Sequence, residues 1–201
     1  MTTPSPSRLP LFLLNTVLFP DGRLPLRVFE ARYMDMTRDC MKRGTPFGVC
    51  LIREGREVGK PAIPETLGCL ANITDWDMQQ LGMLHLQTRG GQRFRILSSD
   101  ANTQGLLSAD IELVPAENSV PVPEHLQGCS RLLQRVVTEQ GEAVFHAPLR
   151  MDDAAWVGYR LAEILPIPLP ARQKLLEIED SLERLSLLNQ FLEQNGLLKS
   201  S

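Results

Sequence analysis

The sequence predicts an α+β protein in two lobes, strands in front and helices behind. Three features carry that reading. Short strand-like runs divided by tight-turn residues continue up to residue 114, and a single helical pattern is inserted among them. After the proline-bearing stretch 115–123 the strand signals stop and helical periodicity takes over. The lobes are accordingly set at residues 1–116 and 117–201, with 115–123 as the hinge.

The first apolar run, 9–14, is long enough for a buried strand. A loop from Asn15 follows and turns at Pro20-Asp21-Gly22, where proline fixes φ and glycine frees it. A second strand is expected over 23–28. Phe29, Tyr33, Met36 and Cys40 then recur at spacings of four, three and four, which is one face of a helix. Glu30 in its first turn, Lys42 and Arg43 in its last, and Gly44 as a C-terminal cap suit the helix dipole and its end. Strands resume at 47–53, and a Gly/Pro/charge loop spans 55–64. The runs 68–76, 83–88, 92–97 and 106–114 read as a meander, with Arg89-Gly90-Gly91 as a hairpin turn. In Arg93-Phe94-Arg95-Ile96 the alternation places Phe94 and Ile96 inward and both arginines outward. So many short strands imply a small barrel or a strongly curled sheet. Behind the hinge, helices fit 124–140, 152–165, 171–177 and 181–195. The last has Asp180 before it and Glu183 three on, with Leu182, Leu185, Leu188 and Leu192 along one face.

Composition narrows the class of function. With 43% hydrophobic and 22% charged residues, the chain can bury a core and is neither disordered nor a membrane type. A net charge of -3 runs against a protein built mainly for nucleic acid, which needs excess lysine and arginine to neutralise phosphates. The N-terminus lacks the basic-then-apolar order of a secretory signal, and no apolar run approaches a membrane span. Cys40, Cys50, Cys69 and Cys129 form no Cys-x-x-Cys pair and read as reduced, mostly buried thiols, so a cytoplasmic address is expected.

Several segments together resemble a known family. Leu9-Pro10-Leu11-Phe12-Leu13-Leu14, Val17-Leu18-Phe19-Pro20, Leu24-Pro25-Leu26 and Phe29-Glu30-Ala31-Arg32-Tyr33 resemble the opening of the Lon N-terminal (LON substrate-binding) domain. Gly91-Gln92-Arg93-Phe94-Arg95-Ile96 is similar to a later strand of that family. Leu165-Pro166-Ile167, Gln173-Lys174-Leu175-Leu176-Glu177 and Arg184-Leu185 match its helical signature in order. The likeness runs from about Leu9 to about Leu192. One departure is Asp21, where many relatives carry glycine. The resemblance implies a PUA-like β pseudo-barrel followed by a C-terminal α-helical bundle. It also implies binding of protein substrates, here in a stand-alone member without the ATPase and peptidase that follow in Lon proteases.

Catalytic motifs are missing from the sequence. Gly55-Arg56-Glu57-Val58-Gly59-Lys60 has three residues between its glycines where a phosphate-binding loop needs four, and Pro61 stands where Ser or Thr would hold Mg²⁺. No Gly-x-Ser-x-Gly elbow occurs, and His85, His125 and His146 are scattered. His125 and Cys129 are four apart on a predicted helix, but two ligands do not make a metal site. Neither cofactor nor metal is expected. Protein capture calls for exposed apolar surface with a polar rim. The candidates for it are Val17, Phe19 and Pro20 in the first loop, Phe29 and Tyr33 beside it, and Trp76, Met78, Leu81 and Met83 around a later turn. Methionine suits varied partners because its side chain is flexible and polarizable. Trp156 and Tyr159 read instead as packing within the helical lobe. The expected partners are unfolded or apolar-rich polypeptides, with a separate ATPase or protease as a further candidate. The alternative is RNA binding through Arg89, Arg93 and Arg95 on one hairpin face.

Overall fold

The computed structural model describes residues 8–57, 62–141 and 144–198. The chain divides into two compact units, one ending at Pro115 and one beginning at Ala116. Among the described residues the first holds seven strands, β1 (Leu9–Leu14), β2 (Arg23–Val28), β3 (Phe47–Glu54), β4 (Ile63–Pro64), β5 (Leu67–Gln80), β6 (Met83–Ala101) and β7 (Leu107–Leu113), and one helix, α1 (Ala31–Arg43).

Five of the strands close on themselves. The ladder runs β1-β7-β6-β5-β3, and β3 returns to β1 as a parallel pair with Leu11 beside Gly48 and Leu13 beside Cys50. Closure removes the exposed edges an open sheet would carry. Alternation along β1 then decides two cores. Leu9, Leu11 and Leu13 point into the barrel with Cys50, Phe94, Leu107 and Ala109. Phe12 points out, against Tyr33, Met36 and Cys40 of α1, in a second cluster that includes Leu26, Val28, Leu84 and Leu86. The barrel is narrow: a Cβ on Gly48 or Gly68 would lie 2.6 or 2.8 Å from the end of the Phe94 ring.

Helix α1 starts two residues later than its periodicity implies. Glu30 is still extended, at ψ 133°, so Phe29 lies outside the helix and is exposed, while Tyr33, Met36 and Cys40 form the buried face. Gly44, at φ 64°, ends the helix as expected.

Two expectations about β6 are corrected. Arg89-Gly90-Gly91 is not a turn: β6 continues through it, and the reversal is at Leu81-Gly82, between the paired Gln80 and Met83. Glycine is needed at 90 because the Phe19 carbonyl oxygen passes 1.9 Å from where a Cβ would be. Arg93 is not outward in solvent. Its side chain is 3% exposed, and the β6–β7 pairing runs one residue further there, with Val114 N–H donating to the Arg93 carbonyl. The 55–64 loop also contains strand β4, paired with β3 at Ile52 and Glu54. Val58, Gly59, Lys60 and Pro61 of the phosphate-loop look-alike lie outside the described residues.

The second unit is helical: a 3₁₀ turn at Glu124–Leu126, then α2 (Gln127–Gln140), α3 (Ala154–Ile164), α4 (Leu169–Glu177) and α5 (Ser181–Gln194). Asp153 caps α3 by accepting from Ala155 N–H, and Asp180 caps α5 by accepting from Leu182 and Glu183 N–H. Every residue of α3 from Ala154 to Ala162 is buried, Trp156 and Tyr159 included, so this helix is the centre of the unit. The stretch read as a hinge is tied into this unit from its own side. Pro121 bridges to Asp153, and Val122 N–H donates to the Asp152 carbonyl. Glu117 accepts two bonds from Arg184, at 2.9 and 2.7 Å, and one from the Tyr159 hydroxyl. The Arg184 guanidinium is fully buried and lies 4.0 Å from the Tyr159 ring centroid. Its Nε also donates to the Leu175 carbonyl.

Candidate functional site

Past Ala71, β5 leaves the barrel and pairs with β6 alone among the described residues, while β2 lies on the other side of the same stretch of β6. The result is a three-stranded arm, β2-β6-β5, that ends at the Leu81-Gly82 turn. Residues directly opposite in antiparallel strands share a face. One row across the arm is Leu26–Leu86–Trp76, since Leu26 pairs with Leu86 and Leu86 with Trp76. Val28 and Leu84 form the next row on the same face.

That face changes character from one strand to the next. On β2 and β6 it is core, with Leu26, Val28, Leu84 and Leu86 packed in the cluster that α1 completes. On β5 it comes out into solvent, where Trp76 is 56% and Met78 43% exposed. Leu81, at the tip, is 97% exposed. The apolar surface at the tip is therefore continuous with the core and not a scatter of single residues. Acidic Asp75 and Asp77 alternate with Trp76 and Met78 and face the other way, opposite Gln87 and His85.

A second feature lies along β2. Pro25 to Phe29, with Phe12, Leu14, Glu30, Tyr33 and Glu57, line a cleft of about 200 Å³. Its floor is firm: the Phe12 and Tyr33 rings stack with centroids 4.0 Å apart, and Arg32 lies over Tyr33 at 4.7 Å. Burial pushes the Tyr33 phenol above its ordinary value, so it stays neutral.

The residues singled out in the sequence thus divide. Trp76, Met78, Leu81 and Phe29 are exposed, and Pro20 and Met83 are half-buried. Val17, Phe19 and Tyr33 are buried and do not belong to an exposed surface. Their burial has a clear origin. The first loop is clamped onto β6, with Asp21 N–H donating to the Gly90 carbonyl and Gly90 N–H to that of Gly22. Asp21 sits at φ 61°, a conformation open to glycine and tolerated by aspartate. Its carboxylate accepts two bonds from Arg89, at 3.0 and 2.6 Å. The departure at Asp21 thus keeps the backbone shape that glycine would allow and adds an ion pair. It also breaks up the arginine row that an RNA-binding face would need, since Arg89 holds Asp21 and Arg93 is buried.

Among the described residues no cysteine is set up as a nucleophile. All four cysteines are buried and free. Burial raises the thiol of Cys50 far above its ordinary range and that of Cys129 to about 12, which leaves both without thiolate character. Cys129 lies near the Asn189 side chain, and His125 is exposed in the 3₁₀ turn before it. No group of three metal-binding side chains occurs among the described residues. No described helix is long and apolar enough to cross a membrane.

Residues 8–194 match the family model of the ATP-dependent protease La (LON) substrate-binding domain. The chain belongs to the LON substrate-binding domain family. A Lon N-terminal domain protein from Xanthomonas campestris is 35% identical and superposes with a TM-score of 0.77, over 92% of this chain and 98% of that one. The N-terminal domain of the Mycobacterium avium complex Lon protease shares the fold, with a TM-score of 0.66 at 16% identity over 93% of this chain and 98% of its own. Lon protease 2 of Herpetosiphon aurantiacus is 25% identical over 189 residues, which are 90% of this chain. The LON-family chain spans 23% of that relative's length. The matched regions are substrate-binding domains and not peptidase domains.

Sequence reasoning located the tip residues but missed what organises them. The signal was present as the alternation Asp75-Trp76-Asp77-Met78, which marks a two-faced strand. What periodicity could not show is that past Ala71 this strand has a neighbour on one side only among the described residues.

Proposed function

We propose that the chain is a non-catalytic polypeptide-binding module that captures unfolded or apolar-rich segments at the end of the β2-β6-β5 arm. The observation that carries this reading is the apolar row that leaves the core through Leu26 and Leu86 and surfaces at Trp76, beside Met78 and Leu81. A surface rooted in the core holds its shape before a ligand arrives, and preorganisation lowers the cost of binding. Family membership supports the same role. Capture is weak, independent of ATP, and serves a cytoplasmic adaptor or chaperone-like factor that presents polypeptide to a separate ATPase or protease.

Fluorescence anisotropy of a labelled, permanently unfolded polypeptide tests the reading. Apolar burial survives moderate salt, whereas phosphate recognition does not. The wild type binds with little change between low and moderate salt, and Met78→Asp with Leu81→Asp abolishes binding. A short RNA that binds in its place, with steep salt dependence and loss in Arg95→Glu at the exposed arginine of that strand, would reject it. The purified protein is also expected neither to hydrolyse ATP nor to cleave casein.

A further inference from the structure

We propose that the open edge of β5, from Asn72 to Gln80, accepts an extended polypeptide as an added β-strand, and that the segment it takes alternates basic with apolar residues. This rests on the polypeptide-binding reading above and names the class of segment and the way it docks.

The first ground is the free edge itself. At Cys69, Leu70 and Ala71, β5 has β3 on one side and β6 on the other. From Asn72 onward only the β6 side is occupied among the described residues. An edge strand presents a row of backbone donors and acceptors, and an extended peptide can complete them.

The second ground is charge. Asp75 and Asp77 are exposed on one face of the edge, and no ion pair engages either among the described residues. Among the described residues the Asp75 carboxylate accepts from the next backbone N–H, that of Trp76, at 2.9 Å. Opposite them on β6 stand Gln87 and His85, not arginine or lysine. A strand laid along this edge would put its own side chains beside these carboxylates on one face and beside Trp76 and Met78 on the other. Opposite charges facing each other across a strand pair stabilise it, and like charges oppose it. Lysine or arginine is therefore favoured on the first face and an apolar residue on the second.

The same charges argue against a second copy of the chain as occupant. Two β5 edges brought together would set aspartates against aspartates. The arm's other edge, β2, is closed to strand pairing in a different way, since Pro25 has no N–H to donate. Of the two edges of the arm, one is blunted by proline and the other carries a selective charge pattern.

The experiment measures affinities of three labelled decapeptides for the full chain by anisotropy: alternating Lys-Val, alternating Glu-Val, and Lys-Val N-methylated at every second residue so that one backbone edge cannot donate. The Lys-Val peptide is expected to bind at least about tenfold more tightly than either of the others. In Asp75→Lys with Asp77→Lys the preference reverses and Glu-Val binds, which shows that the variant is folded and that the charges face the ligand. If the N-methylated peptide binds as well as its parent, or the charge reversal leaves the preference unchanged, strand addition at β5 is overturned. In that case, retained binding of the unfolded polypeptide leaves apolar capture at the tip standing. Loss of every polypeptide interaction overturns both. Concentration-dependent self-association abolished by the same lysines, read by sedimentation, would assign the edge to a second copy and equally overturn the proposal.

Discussion

The two units reach a filled interior by opposite means. The barrel is filled by volume: Phe94 lies over Gly48 and Gly68, and leucines from β1 complete the layer. The helical unit is filled partly by charge. Arg184 is fully buried; Glu117 and the carbonyls of Leu175 and Ile178 take up its donors, and the Tyr159 ring lies against its guanidinium. Gly158 on α3 leaves room for its stem, which lies 3.4 Å from where a Cβ would be. The surfaces differ accordingly. Exposed large apolar residues in the helical unit are separate, at Ile164, Leu187 and Leu197, whereas in the front unit Trp76, Met78 and Leu81 gather at the end of one arm. The helical unit keeps its polar network inside, and the front unit brings apolar surface out, at the arm where capture is proposed.

The largest effect is expected from breaking the charged interior. Arg184→Met strands the Glu117 carboxylate, and losing one partner of a buried pair costs about 3–5 kcal/mol. Chemical denaturation should show that loss. Adding Glu117→Leu to the same protein should recover most of it, because a well-packed apolar pair avoids the desolvation cost. If the double variant is no better than the single one, the network is held by something besides this pair.

Overfilling the barrel comes next. Gly68→Ala places a methyl 2.5 Å from the Val49 carbonyl oxygen and 2.6 Å from Cys50 Sγ. Overpacking of this kind costs about 1–3 kcal/mol, visible as a lower denaturation midpoint. The loop clamp gives a smaller effect. Asp21→Ala loses the Arg89 pair and forces alanine into a left-handed backbone, at about 1–2 kcal/mol. Asp21→Gly loses the pair alone, which is half-exposed and contributes at most about 1 kcal/mol. Finding alanine as well tolerated as glycine would show that φ is not what position 21 selects.

The buried thiols predict an alkaline limit. Burial raises the Cys50 and Cys129 thiols above the ordinary 9.0, Cys129 to about 12. An acid whose folded value is raised contributes stability fully below its unfolded value and loses it as pH climbs through the folded one. Melting temperature should therefore fall progressively above about pH 9. Alanine at both positions should flatten that slope, and neither thiol should react with an aromatic disulfide reagent until the chain unfolds.

Much of this architecture was legible in the sequence, for identifiable reasons. The strands at 9–14 and 23–28 and helices α2 to α5 follow from local periodicity and caps, which need no knowledge of neighbours. Apart from the start of α1, the failures were long-range. Gly90-Gly91 looks like a turn because glycine serves both turns and close approaches, and only the Phe19 carbonyl tells them apart. Arg93 looks outward because alternation reports which face a residue is on, not what covers that face. The same limit governs the site. Trp76, Met78 and Leu81 were legible as a turn cluster, but Val17, Phe19 and Tyr33 have the same apolar character and are buried by the clamp onto β6 and by α1.

Aspartate at Met78 and Leu81 should change stability by no more than about 0.5 kcal/mol, since exposed side chains away from packed features rarely do more. The same variant should lose polypeptide binding. This pairing separates a binding surface from a structural one.

The most direct measurement uses the two tryptophans, Trp76 exposed on the arm and Trp156 buried at 3% in α3. Incorporating 5-fluorotryptophan gives one ¹⁹F resonance for each. On titration with an unfolded polypeptide, the Trp76 resonance is expected to shift saturably and to gain protection from a soluble paramagnetic agent, while Trp156 stays where it is. A polypeptide that binds by anisotropy and leaves Trp76 unmoved and unprotected would contradict capture at the arm.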